Sequence, residues 1–286
     1  MQEKYENYLG LGIAGNFALH LAQAGELEDF KDIITADEAA PKGIFPFYLP
    51  SYIQSTKDIT RIPKDILTTF PLSSNTIQLP SDDVNVQTEP EVGLICEISY
   101  KDGEIESIRP THFGAYNDCS IRVSGADKIS DKKNWGQNSK GFASTLIEID
   151  SFKEGSVLDN FSICSFLKRD NTLTAYGENV TLDGYSYFYE KLTLWIKNQI
   201  NTQKNFGPLE PLSEYIEACK HPSKAIISIG ATRYTQYGEK TFLQTDDEVF
   251  VVVYNHSTYS FKEIQTSLNT KQYPTVDISI LHQKVI

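Results

Sequence analysis

The sequence is poor in basic residues. Its 286 residues include 26 Lys and Arg against 38 Asp and Glu, which gives a formal net charge of −12 and an isoelectric point near 4.9. Nucleic acids and anionic membrane surfaces are bound through clusters of Lys and Arg. We therefore expect neither a nucleic acid nor a membrane as a partner.

Long apolar segments and paired cysteines are also missing. The longest apolar run, residues 249–254 (VFVVVY), has the length of a strand and is far too short to span a bilayer. The first fifteen residues mix charges of both signs and show no apolar stretch before a small-residue cleavage site, so we expect no secretory signal. The cysteines are scattered without a C-x-x-C pair, which favours reduced thiols in a cytoplasmic protein over a disulfide framework or a zinc site. They are Cys96, Cys119, Cys164 and Cys219.

The first third of the chain predicts little regular structure. Residues 16–25 carry apolar side chains at helical spacing and end at a glycine, which predicts a short helix. Six prolines between residues 41 and 80 predict short extended pieces instead of helices. We expect residues 1–80 to form an irregular segment or lid.

The rest of the chain predicts a β-rich α+β fold. Residues 91–99 and 105–124 are strand-like, with a hairpin turn at 101–103. Helical spacing at 186–200 and 211–220 predicts a helical excursion over residues 185–220. The last sixty residues return to strands, and no low-complexity linker or repeat interrupts the chain. We therefore predict a single domain over residues 1–286.

Two motifs offer other interpretations. Residues 10–15 (GLGIAG) fit the dinucleotide-binding pattern G-x-G-x-x-G, but that site needs a buried strand before the glycines and βαβ units after them. Only a short polar segment precedes them here, so we favour a glycine-rich turn that allows close backbone packing. The acidic run 246–248 is interpreted as a solvated turn before a strand.

Three acidic residues indicate a site for a hard metal ion. Glu89 and Glu91 lie two positions apart in a strand-like segment and therefore point to the same face. A neighbouring strand can bring Asp118 beside them. Carboxylates so close together repel one another unless a cation neutralises them, and Mg²⁺, Mn²⁺ and Ca²⁺ prefer oxygen ligands.

These acids belong to an ordered set of landmarks that resembles the fumarylacetoacetate hydrolase family. That family combines an upstream histidine, an E-x-E motif, an N-D-x-S-x-R segment, a tryptophan before K-G-F, a helix, and a glycine turn ahead of F-L-x-x-G-D. The counterparts here, in the same order, are residues 16–20 (NFALH), 89–91 (EPE), 117–122 (NDCSIR), Trp135 with residues 140–142 (KGF), the helix near Trp195, residues 230–232 (GAT), and residues 242–247 (FLQTDD).

The resemblance implies a mixed β-roll with peripheral helices, a homodimer, and a set of site residues. It implies Glu89, Glu91 and Asp118 as ligands of Mg²⁺ or Mn²⁺, with Ca²⁺ as an ion that a crystal could contain. Its implied catalytic residues are His20 as general base, Lys140 as a cation facing the developing negative charge, and Gln23, where some members carry an acid. Its implied substrate-binding residues are Arg122, Gly230 and Thr232.

The family pattern differs here at several positions that contact substrate. Gly125 stands where a glutamine is often found, Ala143 replaces the aspartate after K-G-F, and the G-T-P turn reads Gly-Ala-Thr. Arg122 has a second interpretation, as a structural partner of a ligand carboxylate, because guanidinium groups bind carboxylates bidentately.

The expected function is metal-dependent hydrolysis of a carbon–carbon bond in a 1,3-dicarbonyl or acylpyruvate substrate. An enolate-stabilising site also supports decarboxylation, hydration or tautomerisation of a small keto acid. A second hypothesis is a metal-stabilised binding protein that has kept the fold without turnover, which the substitutions at Gln23, Gly125 and Ala143 suggest.

Overall fold

The computed structural model describes residues 1–35, 37–53 and 59–286. Its helices are α1 (Gln2–Tyr5), α2 (His20–Gln23), α3 (Tyr189–Thr202), α4 (Leu212–Ala218), α5 (Gln236–Lys240) and α6 (Phe261–Thr270). Its strands are β1 (Leu9–Ala14), β2 (Gly43–Tyr48), β3 (Leu72–Ser73), β4 (Thr76–Ile77), β5 (Val86–Gln87), β6 (Pro90–Lys101), β7 (Glu104–Asn117), β8 (Ser120–Ile121), β9 (Lys140–Phe142), β10 (Ile147–Glu148), β11 (Phe161–Arg169), β12 (Thr172–Thr181), β13 (Lys224–Ser228), β14 (Glu248–Asn255) and β15 (Ile278–Val285).

Most strands belong to two sheets. The larger sheet has the order β2-β1-β13-β6-β7-β9-β3, with β10 also paired to β7, and the smaller has the order β12-β11-β14-β15-β4. A third, two-stranded sheet joins β5 to β8. The mixed, β-rich α+β class expected from the sequence is confirmed, and its large sheet is curled into a half-barrel.

The hairpin of β6 and β7 is the longest antiparallel pair in the larger sheet, and it carries the predicted acids. Its turn at Asp102 and Gly103 has positive φ at both residues, as a tight hairpin connection requires. The second predicted strand ends at Asn117, seven residues earlier than expected, and Ser120–Ile121 form the separate short strand β8.

The glycine-rich motif near the N-terminus is a strand, so its interpretation as a turn was wrong. Strand β1 is buried and pairs in parallel with β13 and antiparallel with β2. A Cβ on Gly10 would lie 2.4 Å from the Phe47 ring, and one on Gly12 would lie 2.2 Å from the Phe45 ring. The glycines therefore allow two aromatic rings of β2 to lie against the backbone of β1.

The helix predicted over residues 16–25 is reduced to the single turn of α2. Leu19, at its N-terminal boundary, has φ of 70°, so the helix does not extend back towards Asn16. The helices predicted at 186–200 and 211–220 are confirmed as α3 and α4. Helix α6, with Ser260 and Glu263 forming a capping box, interrupts the expected C-terminal strands.

One apolar cluster joins the two sheets. It includes Leu11 of β1 and Val92 of β6 from the larger sheet, and Ile163 of β11 and Val251 of β14 from the smaller one. The side chains of α3 at Leu192 and Ile196 pack against the same cluster. The candidate site lies where β6 and β7 enter this core.

Among the described residues, no helix is long and apolar enough to cross a bilayer. The four cysteines are buried free thiols, as the absence of C-x-x-C pairs predicted. Burial raises the pKa of Cys119 and of Cys219 to about 12. The acidic run before β14 is only partly a solvated turn, because Asp247 is buried and paired with Arg169 at 2.6 Å.

Candidate active site

The three acids that the sequence singled out meet at one end of the β6–β7 hairpin. Pro90 of β6 lies opposite Asn117 of β7, and the Asp118 amide donates to the Glu89 carbonyl at 3.0 Å. One carboxylate oxygen from each of Glu89, Glu91 and Asp118 lies within 4.8 Å of the others. This is a buried group of oxygen ligands that could hold a metal ion.

Three cationic side chains contact these carboxylates. Lys133 donates to Glu89 Oε2 at 2.6 Å and lies 2.7 Å from Asp118 Oδ2. Arg122 lies 2.8 Å from Glu89 Oε1, and Lys140 forms a close ion pair with Asp118 Oδ1. Lysines and carboxylates alike are at most 4% exposed. Glu89 and Asp118 are therefore paired with cations of the chain itself.

Burial and neighbouring charges together lower the pKa of Glu89 but raise that of Glu91. Burial opposes ionisation of Glu89, but Lys133 and Arg122 outweigh that effect and lower its pKa. Burial raises the pKa of Glu91 well above its usual range, and repulsion by Asp118 and Glu89 adds to the increase. Without a bound cation, the surroundings therefore favour the ionised form of Glu89 and the protonated form of Glu91.

The donor chemistry of the cluster fits a hard divalent cation. Glu89 Oε1 and Asp118 Oδ2 are buried, and neither accepts a hydrogen bond of proper geometry despite the nearby Arg122 and Lys133. A buried carboxylate oxygen without a directed donor has a lone pair available to a ligand. Together with Glu91, these atoms are of the type that Mg²⁺ and Mn²⁺ bind.

The turn predicted to bind substrate holds Glu91 in place. The Gly230 amide donates to Glu91 Oε2 at 2.9 Å, and Gly230 has φ of 112°, a conformation that favours glycine. The Thr232 amide donates to the Pro90 carbonyl at 3.0 Å. The turn at residues 230–232 is therefore bonded directly to the E-x-E segment.

His20 is joined to the same turn. Its Nδ1 lies 2.9 Å from the Thr232 carbonyl oxygen, and because a carbonyl only accepts, Nδ1 must carry the proton. Burial lowers the pKa of His20, although the Glu89 charge opposes the decrease, so the ring is neutral at neutral pH. Its Nε2 is then an unprotonated nitrogen, buried without a hydrogen-bond partner.

Gln23 lies on the same turn of helix but contacts a different group. Its side-chain amide donates to the Tyr234 carbonyl at 3.1 Å and accepts from the Tyr234 amide at 2.9 Å. These two bonds hold α2 against the chain beyond Thr232. A catalytic role for Gln23 stays a prediction; the observed contacts are those of a residue that positions α2.

Arg122 joins the acids to the segment after α2. Its guanidinium donates to Glu26 Oε1 at 2.9 Å, to the Tyr234 hydroxyl at 2.8 Å and to the Gln87 amide oxygen at 2.7 Å. Lys132 also donates to Glu26, at 2.9 Å. The structural interpretation of Arg122 thus has observed contacts, whereas its contact with substrate stays a prediction.

Of the two lysines that contact the acids, Lys140 was identified from the sequence and Lys133 was missed. Lys140 belongs to β9 and is fully buried. Lys133 was not identified at all, because it belongs to no family motif. The available signal was charge: three adjacent acids had only Arg122 and Lys140 as assigned cations, and Lys133 lies between those two in the sequence.

The model of a family described as "Family of unknown function (DUF5718)" matches residues 26–285. No curated protein sequence matches the chain.

Solved structures share the fold over 97% of this chain at low sequence identity. The protein Cg1458, solved with an inhibitor, is 17% identical, has 76% of its length covered and gives a TM-score of 0.55. A 2-keto-3-deoxy-D-arabinonate dehydratase, complexed with magnesium and 2,5-dioxopentanoate, is 15% identical, has 72% of its length covered and gives 0.51. The 5-carboxymethyl-2-hydroxymuconate delta-isomerase from Mycobacterium smegmatis is 13% identical, has 78% covered and gives 0.51. The fold expected from the fumarylacetoacetate hydrolase resemblance is confirmed.

Proposed function

The chain belongs to the family of unknown function DUF5718, and we propose that it is a divalent-metal-dependent enzyme that acts on a small keto acid or 1,3-dicarbonyl compound. The observation that carries this proposal is the buried cluster of Glu89, Glu91 and Asp118 beside a neutral histidine with a free ring nitrogen. The dehydratase of the same fold, solved with magnesium and a dioxo acid, supports both the ion and the class of substrate.

In the proposed site, Glu89, Glu91 and Asp118 hold Mg²⁺ or Mn²⁺. The bound ion would accept two oxygens of the substrate, polarise its carbonyl group and stabilise enolate charge. Lys140, paired with Asp118, would add positive charge where the enolate forms. The substrate must be an oxygen chelator, which a keto acid or an acylpyruvate is.

His20 is the proposed general base. The Thr232 carbonyl fixes the proton on Nδ1, which leaves Nε2 to accept a proton from water. In hydrolysis, that water adds to the distal carbonyl, the adjacent carbon–carbon bond breaks, and its electron pair becomes the enolate. The proton on Nε2 then returns to the enolate carbon. Burial of His20 excludes bulk water from this exchange.

Hydrolysis is our first choice among several reactions that one such site supports. Decarboxylation, hydration and tautomerisation of a small keto acid also require stabilised enolate charge and a base. The neighbours of this fold that act as a dehydratase and as an isomerase favour testing all four reactions. The test therefore uses acylpyruvates, oxaloacetate and 2-keto-3-deoxy sugar acids, each with Mg²⁺ or Mn²⁺.

The decisive comparison is between the wild type, His20→Ala and a control histidine variant. Loss of a general base lowers kcat by about 10² to 10⁴. The control is His256→Ala, which changes an exposed histidine and should keep wild-type kcat. Glu89→Ala with Glu91→Ala should abolish Mn²⁺ binding in calorimetry.

Two results separate the alternatives. Unchanged Mn²⁺ binding in the double glutamate variant would show that the metal site is assigned wrongly. Retained Mn²⁺ binding by the wild type with no turnover of any compound would favour the metal-stabilised binding protein.

A further inference from the structure

We propose that the Lys133 ammonium group is the built-in cation of the carboxylate cluster, and that a divalent ion takes its place when it binds Glu89 and Asp118. This inference rests on the metal site of the proposed function and concerns the residue that must move for the site to load. It also predicts how the chain stays folded without the ion.

The position of Lys133 is the first argument. Its Nζ lies 2.6 Å from Glu89 Oε2 and 2.7 Å from Asp118 Oδ2, so one ammonium group joins two of the three candidate ligands. Arg122 and Lys140 each contact only one acid of the cluster. A cation bound by both Glu89 and Asp118 would therefore compete with Lys133 more directly than with Arg122 or Lys140.

Charge balance is the second argument. Four acids here form ion pairs, namely Glu26, Asp29, Glu89 and Asp118, and they are matched by four cations, namely Arg122, Lys132, Lys133 and Lys140. The described cluster is thus supplied with enough positive charge by its own side chains. A divalent ion added without displacement of Lys133 would leave excess positive charge in a buried region, which is costly.

The surroundings of Lys133 are the third argument. Besides Glu89 and Asp118, the charges of Glu26, Arg122 and Lys140 also act on it. Its Nζ also lies 5.4 Å from the centre of the Phe45 ring, whose face attracts cations weakly. The ammonium group is held chiefly by Glu89 and Asp118, so a stronger cation at these oxygens releases it.

The test removes the charge of Lys133 and keeps its bulk. Lys133→Met leaves Glu89 and Asp118 buried with an uncompensated charge, so the ion-free variant should melt roughly 10 °C below the wild type. Mn²⁺ should restore the melting temperature. Calorimetry should show Mn²⁺ binding at least about tenfold tighter than in the wild type, because no ammonium group competes.

Lys132→Met is the matched control. Lys132 is equally buried and adjacent, but it pairs with Glu26 and Asp29 and does not contact the three candidate ligands. Its loss of stability should not be restored by Mn²⁺, and its Mn²⁺ affinity should equal that of the wild type. Equal affinity of Lys133→Met and the wild type would overturn the proposal. So would a stability loss in Lys133→Met that Mn²⁺ does not restore, or no loss at all.

A double variant keeps the test decisive if Lys133→Met does not fold. Lys133→Met with Glu89→Gln removes one charge of each sign and should fold without added ion. If it too fails to fold, Lys133 is needed for its shape and the proposal is wrong.

Failure of this inference differs from failure of the proposed function. If the wild type turns over a keto acid with Mn²⁺ but Lys133→Met has unchanged Mn²⁺ affinity, this inference is wrong and the proposed function stands. If Lys133→Met binds Mn²⁺ more tightly and regains stability with it but the wild type shows no turnover, the enzymatic function is wrong and this inference stands.

Discussion

At His20, a single hydrogen bond determines which ring nitrogen can react. The Thr232 carbonyl can only accept, so it holds the proton on Nδ1 and leaves Nε2 free. Thr232 is in turn bonded to the Pro90 carbonyl, between the proposed ligands Glu89 and Glu91. The proposed base and the proposed ligands are therefore positioned by one short piece of backbone.

Burial of His20 predicts a dependence of stability on pH. Its pKa in the folded protein is lowered, so below the ordinary value of 6.5 the unfolded chain binds a proton there that the folded chain does not. The free energy of unfolding should fall as pH decreases through 6.5. Urea denaturation between pH 8 and pH 5 measures this slope, which should be shallower in His20→Gln.

The exposed control His256→Gln should keep the wild-type slope. An unchanged slope in His20→Gln would mean that His20 accepts a proton in the folded protein as readily as in the unfolded chain.

The site residues that lie in a recognisable local pattern were predicted from the sequence, and Lys133, which lies in none, was missed. Glu89, Glu91 and Asp118 lie two positions apart or at a strand end, where period-two geometry brings them to one place. Lys133 sits at the end of a short 3-10 turn, where no periodicity tells which way a side chain points. Its role depends on long-range packing that the local sequence does not encode.

Close packing of β2 side chains against the backbone of β1 supports two lysines of the candidate site. Its glycines accept the rings of Phe45 and Phe47, and those rings lie under the ammonium groups of Lys133 and Lys140 at 5.4 and 5.7 Å. The motif resembled a nucleotide-binding turn because both structures need glycine for close approach. The pairing of β1 with β13 and β2 shows that the motif is a strand.

Gly12→Ala should destabilise the protein by forcing Phe45 away from β1. A Cβ there would lie 2.2 Å from the ring, and overpacking of this kind costs roughly 1–3 kcal/mol of unfolding free energy. Phe45→Leu in the same chain should recover part of the loss. Urea denaturation measures both effects.

Gly184→Ala is the control, since its nearest atoms are Phe17 ring carbons at 3.4 Å. A smaller loss in Gly12→Ala than in Gly184→Ala would refute the packing argument.

The segment over residues 16–26 was the least predictable part of the chain. Helical spacing suggested a helix over residues 16–25, but Leu19 has a positive φ and the helix begins only at His20. Beyond the helix, Glu26 pairs with Arg122 and Lys132, which lie about a hundred positions away. Apolar periodicity predicts which face of a helix is buried; it predicts neither the backbone conformation of Leu19 nor these long-range ion pairs.

The two sheets share one apolar cluster, which bears on the single domain predicted from sequence. Cys96 lies in β6 of the larger sheet and Cys164 in β11 of the smaller one, and both thiols are buried. If the sheets unfold together, both cysteines should become reactive at the same urea concentration. Pulsed thiol labelling with mass spectrometry measures each site separately.

Labelling of Cys164 at a lower urea concentration than Cys96 would contradict a single cooperative unit. The homodimer and the cytoplasmic location stay predictions that sedimentation and cell fractionation can test.

Four consecutive side chains beside the site each have a separate partner. Lys132 contacts Glu26, Lys133 contacts Glu89 and Asp118, Asn134 donates to the Phe47 carbonyl at 2.8 Å, and Trp135 donates to the Gln78 carbonyl at 2.8 Å. A shift of the chain by one position would break all four contacts at once. The length of this segment therefore constrains the site more strictly than any one of its side chains: a one-residue deletion would remove all four contacts, whereas a substitution removes one.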